Sequence, residues 1–129
     1  MSQIENSTIW KDYAETAANA RQRRNLGAAD RTLCNALIEA RKHKELAAAL
    51  VAEVHELATL YCMDRRYDAA EQIYKNLLEA RERILGTEHR DIVDSLEKLA
   101  VVVRESDRRS EAMALGYRAM ALKSKAMPA

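Results

Sequence analysis

Three pairs of alanines recur along the 129-residue chain with almost constant spacing. The pairs are Ala17 with Ala29, Ala58 with Ala70, and Ala100 with Ala112. The two alanines of a pair are the same number of residues apart in all three pairs. Along the sequence, the third pair follows the second at a distance one residue longer than that between the first and the second. Self-similarity at a fixed period is the signature of repeat architectures, in which each unit buries its apolar face against its neighbour. We therefore expect three stacked units.

Each unit has the hydrophobic periodicity of two helices. In the middle unit, apolar side chains recur at helical spacing over residues 50–61 and again over residues 70–78. Gly86 follows the second stripe, where it is placed as a helix C-terminal cap. The predicted turns inside the units lie at residues 25–27, 64–67 and 106–107. The pattern predicts one all-α domain over residues 1–129, with six antiparallel helices in repeats at about 8–44, 46–86 and 88–126.

The composition agrees with an all-α protein. The chain has 3 Gly, 1 Pro and 5% aromatic residues, whereas sandwiches and barrels need turn residues and β-branched or aromatic strands. Its 48% of hydrophobic residues can bury a core, which argues against disorder. The alanine pairs are expected at helix crossings, where small side chains let two backbones approach closely. Trp10 and Tyr13 are expected to cap the core of the first helix pair.

The middle unit resembles the tetratricopeptide repeat. Its first helix carries Leu57-Ala58-x-x-Tyr61, and Tyr67-Asp-Ala-Ala70 follows the turn. The segment from residue 70 to residue 92 is similar to the longer repeats of kinesin light chains, whose length agrees with the period of the alanine pairs. The resemblance covers roughly residues 8–123. It implies a right-handed α-solenoid of three repeats, in which the first helix of each pair lines a concave groove.

One departure from the family lies in the turns between paired helices. The glycine that is usual there is replaced by Arg24, Arg65 and Asp107. The family resemblance further implies a non-enzymatic scaffold or adaptor that binds a protein or peptide partner in the groove. Two alternatives stay open: a self-associating structural repeat, and a small secretion-type chaperone for a dedicated client.

Helical phase selects the side chains that face the groove. The predicted groove residues are Lys11, Arg21, His55, Thr59, Met63, Glu97, Val101 and Arg104. This mixture of polar and soft side chains suits the recognition of an extended or helical peptide. Exposure of the same residues to water, without any ligand, would explain the pattern equally well.

The last predicted helix, about residues 108–126, carries apolar side chains on more than one face. Terminal repeats need a polar outer face, and no capping helix is expected after this one. We therefore expect a second copy or a partner to cover it. The residues predicted to contribute to self-association are Met113, Leu115, Tyr117, Met120 and Leu122.

Other functional classes lack a supporting signal. Twenty-one basic residues balance 20 acidic ones, so nucleic-acid binding is not expected. The chain has no apolar run of membrane-spanning length and no signal peptide, which favours a cytoplasmic protein without membrane contact. Its histidines and its two cysteines, Cys34 and Cys62, lack the short spacing of metal ligands. No catalytic motif is present, so no enzyme activity, metal or cofactor is expected.

Overall fold

The computed structural model consists of antiparallel helix pairs. It describes the backbone of residues 3–126 and the side chains of residues 8–125. The helices are α1 (Gln3–Gln22), α2 (Leu26–His43), α3 (Ala48–Met63), α4 (Tyr67–Leu85), α5 (Arg90–Glu105) and α6 (Arg109–Ala126). Consecutive helices pack in the pairs α1–α2, α3–α4 and α5–α6, so the predicted stack of three helix–turn–helix units is confirmed. Residues 1–2 and 127–129 of the predicted domain lie outside the described residues.

The short turn inside each unit has the same backbone geometry in all three units. Its middle residue has a positive φ, of 62° at Arg24, 59° at Arg65 and 64° at Asp107. The N–H of the following residue donates to a carbonyl near the end of the preceding helix, as in the bond of 2.9 Å from Asn25 to Ala20. This is the Schellman arrangement, in which a left-handed residue ends a helix. The positions where glycine is missing are therefore the positions where the backbone is left-handed.

The first turn differs from its predicted position. It lies at residues 23–25 rather than 25–27, because the side chain of Asn25 accepts a hydrogen bond of 3.1 Å from the N–H of Ala28 and caps α2. Leu26 is buried and Gly27 lies in the first helical turn. At the end of α4, Gly86 caps the helix with φ at 84°, as predicted.

The alanines of the first two pairs lie in the packed core. Ala17, Ala29, Ala58 and Ala70 are at most 1% exposed. Helix α3 packs on both α1 and α2, and α5 packs on α4, so each new unit stacks on the one before it. Burial of the first two pairs confirms the packing role that the spacing predicts, whereas in the third pair Ala112 is buried and Ala100 is only half-buried. Trp10 is also buried, with its ring centroid 6.2 Å from that of Tyr13, as expected of a residue that caps the first core.

Candidate functional site

The surface formed by the first helices of the units, α1, α3 and α5, carries the predicted groove residues. We call it the first-helix face. A cleft of about 360 Å³ opens on it between α1 and the start of α3. Alanines form much of its wall, and ionisable side chains border it. The cleft is lined by Trp10, Lys11, Ala14, Glu15, Ala18, Glu45, Ala47, Ala49 and Glu53.

The two basic residues predicted for the first unit differ in their surroundings. Lys11 is exposed and, within the described part of the chain, makes no ion pair. The guanidinium of Arg21 instead lies 3.1 Å from the carboxylate of Glu53 and 3.9 Å from that of Glu56. Arg21 therefore joins α1 to α3, and its charge is already balanced within the chain. Lys11 is the cation that this cleft offers to a ligand.

The middle unit contributes a half-buried imidazole. Nδ1 of His55 lies 3.2 Å from the hydroxyl of Tyr74, and the ring centroids are 5.6 Å apart. Burial, followed by the positive charge of Lys98, holds the pKa of His55 below its ordinary value of 6.5. The ring is therefore neutral at pH 7 and acts as a polar but uncharged surface.

Thr59 and Met63 continue the same helix towards its C-terminus. The hydroxyl of Thr59 donates a hydrogen bond of 2.8 Å to the carbonyl of His55. Met63 is largely exposed at the end of α3. A polarizable side chain in that position can pack against many partner surfaces.

On α5, the predicted groove residues lie in different surroundings. Glu97 forms a long ion pair of 3.7 Å with Lys123, and Val101 is exposed. Arg104 lines a cleft of about 630 Å³ between α5 and α6, together with Met113. A residue predicted for the groove and one predicted for self-association thus border the same cleft. The sequence pattern did not predict this cleft, although it contains the small residues Ala100, Ala112 and Gly116 that line it.

A buried arginine next to this face was also missed. Arg81 on α4 donates to the hydroxyl of Ser95 at 2.7 Å, to the carboxylate of Asp94 at 3.0 Å and to the carbonyl of Asp91 at 3.1 Å. These bonds fix the position of Asp94, whose other oxygen accepts from Lys98. Burial acts to raise the pKa of Asp94, but the hydrogen bonds and charges of Lys98 and Arg81 together outweigh it and hold the pKa below its usual value. The available signal was the Leu-x-Glu-Ala-Arg sequence shared by the first two units.

The comparison with known proteins agrees with this geometry. The family model of the tetratricopeptide repeat matches residues 45–125, more than half of the chain. The chain belongs to the tetratricopeptide-repeat family. Repeats of this family generally mediate protein–protein interactions. No curated protein matches the chain significantly.

In this tetratricopeptide-repeat protein, α6 divides the residues predicted for self-association into two groups. Met113, Tyr117 and Met120 are 56%, 63% and 66% exposed. Leu115 and Leu122 are half-buried and pack against the core. We call the surface formed by Val101, Met113, Tyr117 and Met120 the end face, because no helix packs on it within residues 3–126. The end face is an apolar surface.

The cysteines of this repeat protein are free and half-buried. Burial, followed by a hydrogen bond of 3.2 Å to Asp30, raises the pKa of Cys34 to about 11. Burial likewise raises the pKa of Cys62. Both thiols are therefore protonated at neutral pH, which suits packing rather than chemistry. The described residues contain no group of side chains able to hold a metal ion, and no helix among them is long and apolar enough to cross a membrane.

Proposed function

We propose that this protein is a non-enzymatic adaptor that binds a peptide or a partner helix on its first-helix face. The observation that carries the proposal is the cleft between α1 and α3, where Lys11 has no internal ion pair among the described residues and alanines leave room for a ligand backbone. The neutral His55 and the exposed Met63 extend this surface along α3. Such a surface can bind an extended or helical segment through a few polar contacts and soft apolar packing.

The proposal is tested by selecting peptides from a displayed library against the immobilised protein and measuring their affinity by calorimetry. The double variant Thr59→Arg with Met63→Glu changes the first-helix face without changing the net charge, and we expect it to weaken binding by about tenfold or more. The control is Gln72→Arg with Ile38→Glu, which introduces the same two side chains, also without changing the net charge, at exposed positions of α4 and α2. Equal losses in both variants, or no selected peptide, would contradict the proposal.

Self-association through the end face is a second candidate function. It is favoured by the exposure of Met113, Tyr117 and Met120, which project from successive turns of one helix. Contiguous apolar surface of this kind marks interaction sites in folded proteins. The two candidates share Val101 but otherwise use different residues, since Thr59 and Met63 lie on α3 whereas Met113, Tyr117 and Met120 lie on α6. Variants at these residues can therefore separate them.

A further inference from the structure

At Met120, the end face exposes a position that is buried in the two earlier units. Leu37 and Leu78 are 2% and 8% exposed, whereas Met120, at the same position of the third unit, is 66% exposed. Ala17 and Ala58 are buried, whereas their counterpart Ala100 is half-buried and lines the cleft between α5 and α6. The third unit therefore presents the surface on which the first two units receive the first helix of their successor.

The opposite end of the stack presents a helix of the kind that such a surface receives. Leu50 on α3 and Ile92 on α5 are fully buried where these helices stack on the preceding unit. The same position on α1 is Ile9, which is 38% exposed. Ile9 and Asp12 line an open cleft of about 360 Å³ at this end of the molecule. Helix α1 thus exposes Ile9 at the position that α3 and α5 bury when they pack on the preceding unit.

Charges at the two ends repeat an ion pair that joins units inside the chain. Arg21 on α1 pairs with Glu53 on α3 across the boundary between the first and second units. When the units are aligned by their alanine pairs, Arg104 of the third unit is equivalent to Arg21 of the first. In the same alignment, Asp12 of the first unit is equivalent to Glu53 of the second. Within the described residues, neither the side chain of Arg104 nor that of Asp12 has an ion-pair or hydrogen-bond partner. The two ends therefore carry opposite unpaired charges at matching positions.

We propose that copies of this protein associate head to tail, with α1 of one copy packed on the end face of the next and Asp12 paired with Arg104 across the contact. The proposal rests on the self-association candidate and specifies its geometry. The contact continues the internal stacking of units from one molecule into another. Because it joins two different surfaces, it leaves a free surface at each end and allows growth beyond a dimer.

Sedimentation velocity over a concentration series tests the proposal with two charge-reversal variants. We expect the weight-average mass of the wild type to rise above the 14.6 kDa of the monomer as concentration increases. Arg104→Glu and Asp12→Arg each place like charges at the contact, so we expect each variant alone to associate about tenfold more weakly or worse. In an equimolar mixture, every contact between the two variants joins opposite charges at positions 12 and 104, so we expect the mixture to associate more strongly than either variant alone.

Controls and alternative outcomes separate this geometry from the others. Arg83→Glu makes the same charge change on α4, in the middle unit, and we expect it to associate like the wild type. Circular dichroism checks that each variant is folded, and Met120→Glu gives an independent block of the end face. If the wild type associates but the mixture associates no more than either variant alone, the head-to-tail contact is wrong. If Asp12→Arg also associates like the wild type while Met120→Glu does not, a symmetric contact between end faces is supported. A wild type that stays monomeric throughout the series overturns self-association itself, while peptide binding on the first-helix face is unaffected.

Discussion

The turns of the three units each place an arginine or aspartate in a conformation that favours glycine. At positive φ the Cβ atom approaches the neighbouring carbonyl oxygen, which costs an L-residue about 1 kcal/mol or more. The Schellman bonds on either side hold the turns despite this cost, including the bond of 2.7 Å from the N–H of Arg66 to the carbonyl of Tyr61. The strain is local to one residue of each turn.

Relief of this strain is our prediction at the residue scale. Arg65→Gly removes the Cβ contact, and although glycine makes the unfolded chain more flexible, we expect the free energy of unfolding to rise by about 0.5–1 kcal/mol. Urea denaturation followed by circular dichroism measures the change. Arg23→Gly is the matched control, because Arg23 is a turn residue without positive φ. Equal effects of the two substitutions would show that strain at Arg65 is negligible.

Two arginines in the same sequence motif hold their helices in different ways. Arg41 ends Leu-x-Glu-Ala-Arg in α2, is partly exposed and lies 3.4 Å from Glu79. Arg81 ends the same motif in α4, but it is buried and binds three groups of α5. The helix that follows decides the difference, because α5 places Asp94 and Ser95 against Arg81. The link between α4 and α5 is therefore polar and buried.

Truncation of each arginine tests this difference at the element scale. We expect Arg81→Ala to lower the free energy of unfolding by about 2–3 kcal/mol, because it leaves buried acceptors unpaired and opens a void between α4 and α5. Arg41→Ala removes a surface ion pair and should cost less than about 1 kcal/mol. Thermal and urea unfolding of the two variants under identical conditions give the comparison. Similar costs at both positions would mean that the bonds of Arg81 add nothing to stability.

The sequence predicted the helices more accurately than the roles of single side chains. Alanine spacing and hydrophobic periodicity placed the second and third turns correctly, because each is bounded by strong apolar stripes. The first turn was displaced along the chain, since capping by Asn25 is a local bond that periodicity does not record. On the first-helix face, helical phase could not tell that Arg21 is paired and Lys11 is not, because pairing depends on the helix packed opposite.

The orientation of α6 could be predicted only in part. Its apolar residues occur on several faces, so periodicity does not separate Leu115 and Leu122, which contact the core, from Met120, which does not. The stacking of three units was predictable because it depends on a repeated spacing rather than on any one contact. The family was predictable from the resemblance of the middle unit to the tetratricopeptide repeat. The partner and the groove contacts stay predictions.

At the scale of the whole molecule, Leu78 and Met120 occupy equivalent positions in the second and third units. Leu78 is buried, whereas Met120 is exposed at the end of the stack. We expect Leu78→Glu to lower the free energy of unfolding by more than about 3 kcal/mol, because it places a charge between two units. At a concentration where the protein is monomeric, Met120→Glu should change it by less than about 0.5 kcal/mol. Chemical denaturation at low concentration checks both values. A large loss for Met120→Glu would show that α6 is covered within the monomer.

The burial of Trp10 has a consequence for spectroscopy. It is the only tryptophan of the chain, it lies in the first helix pair, and its indole N–H has no hydrogen-bond acceptor among the described atoms. Its fluorescence therefore reports the packing of the N-terminal unit alone, whereas far-ultraviolet circular dichroism averages over all the helices. The two signals coincide during unfolding if the repeats melt together, and they separate if the N-terminal unit opens first. The protein thus contains an intrinsic optical probe of cooperation between its repeats.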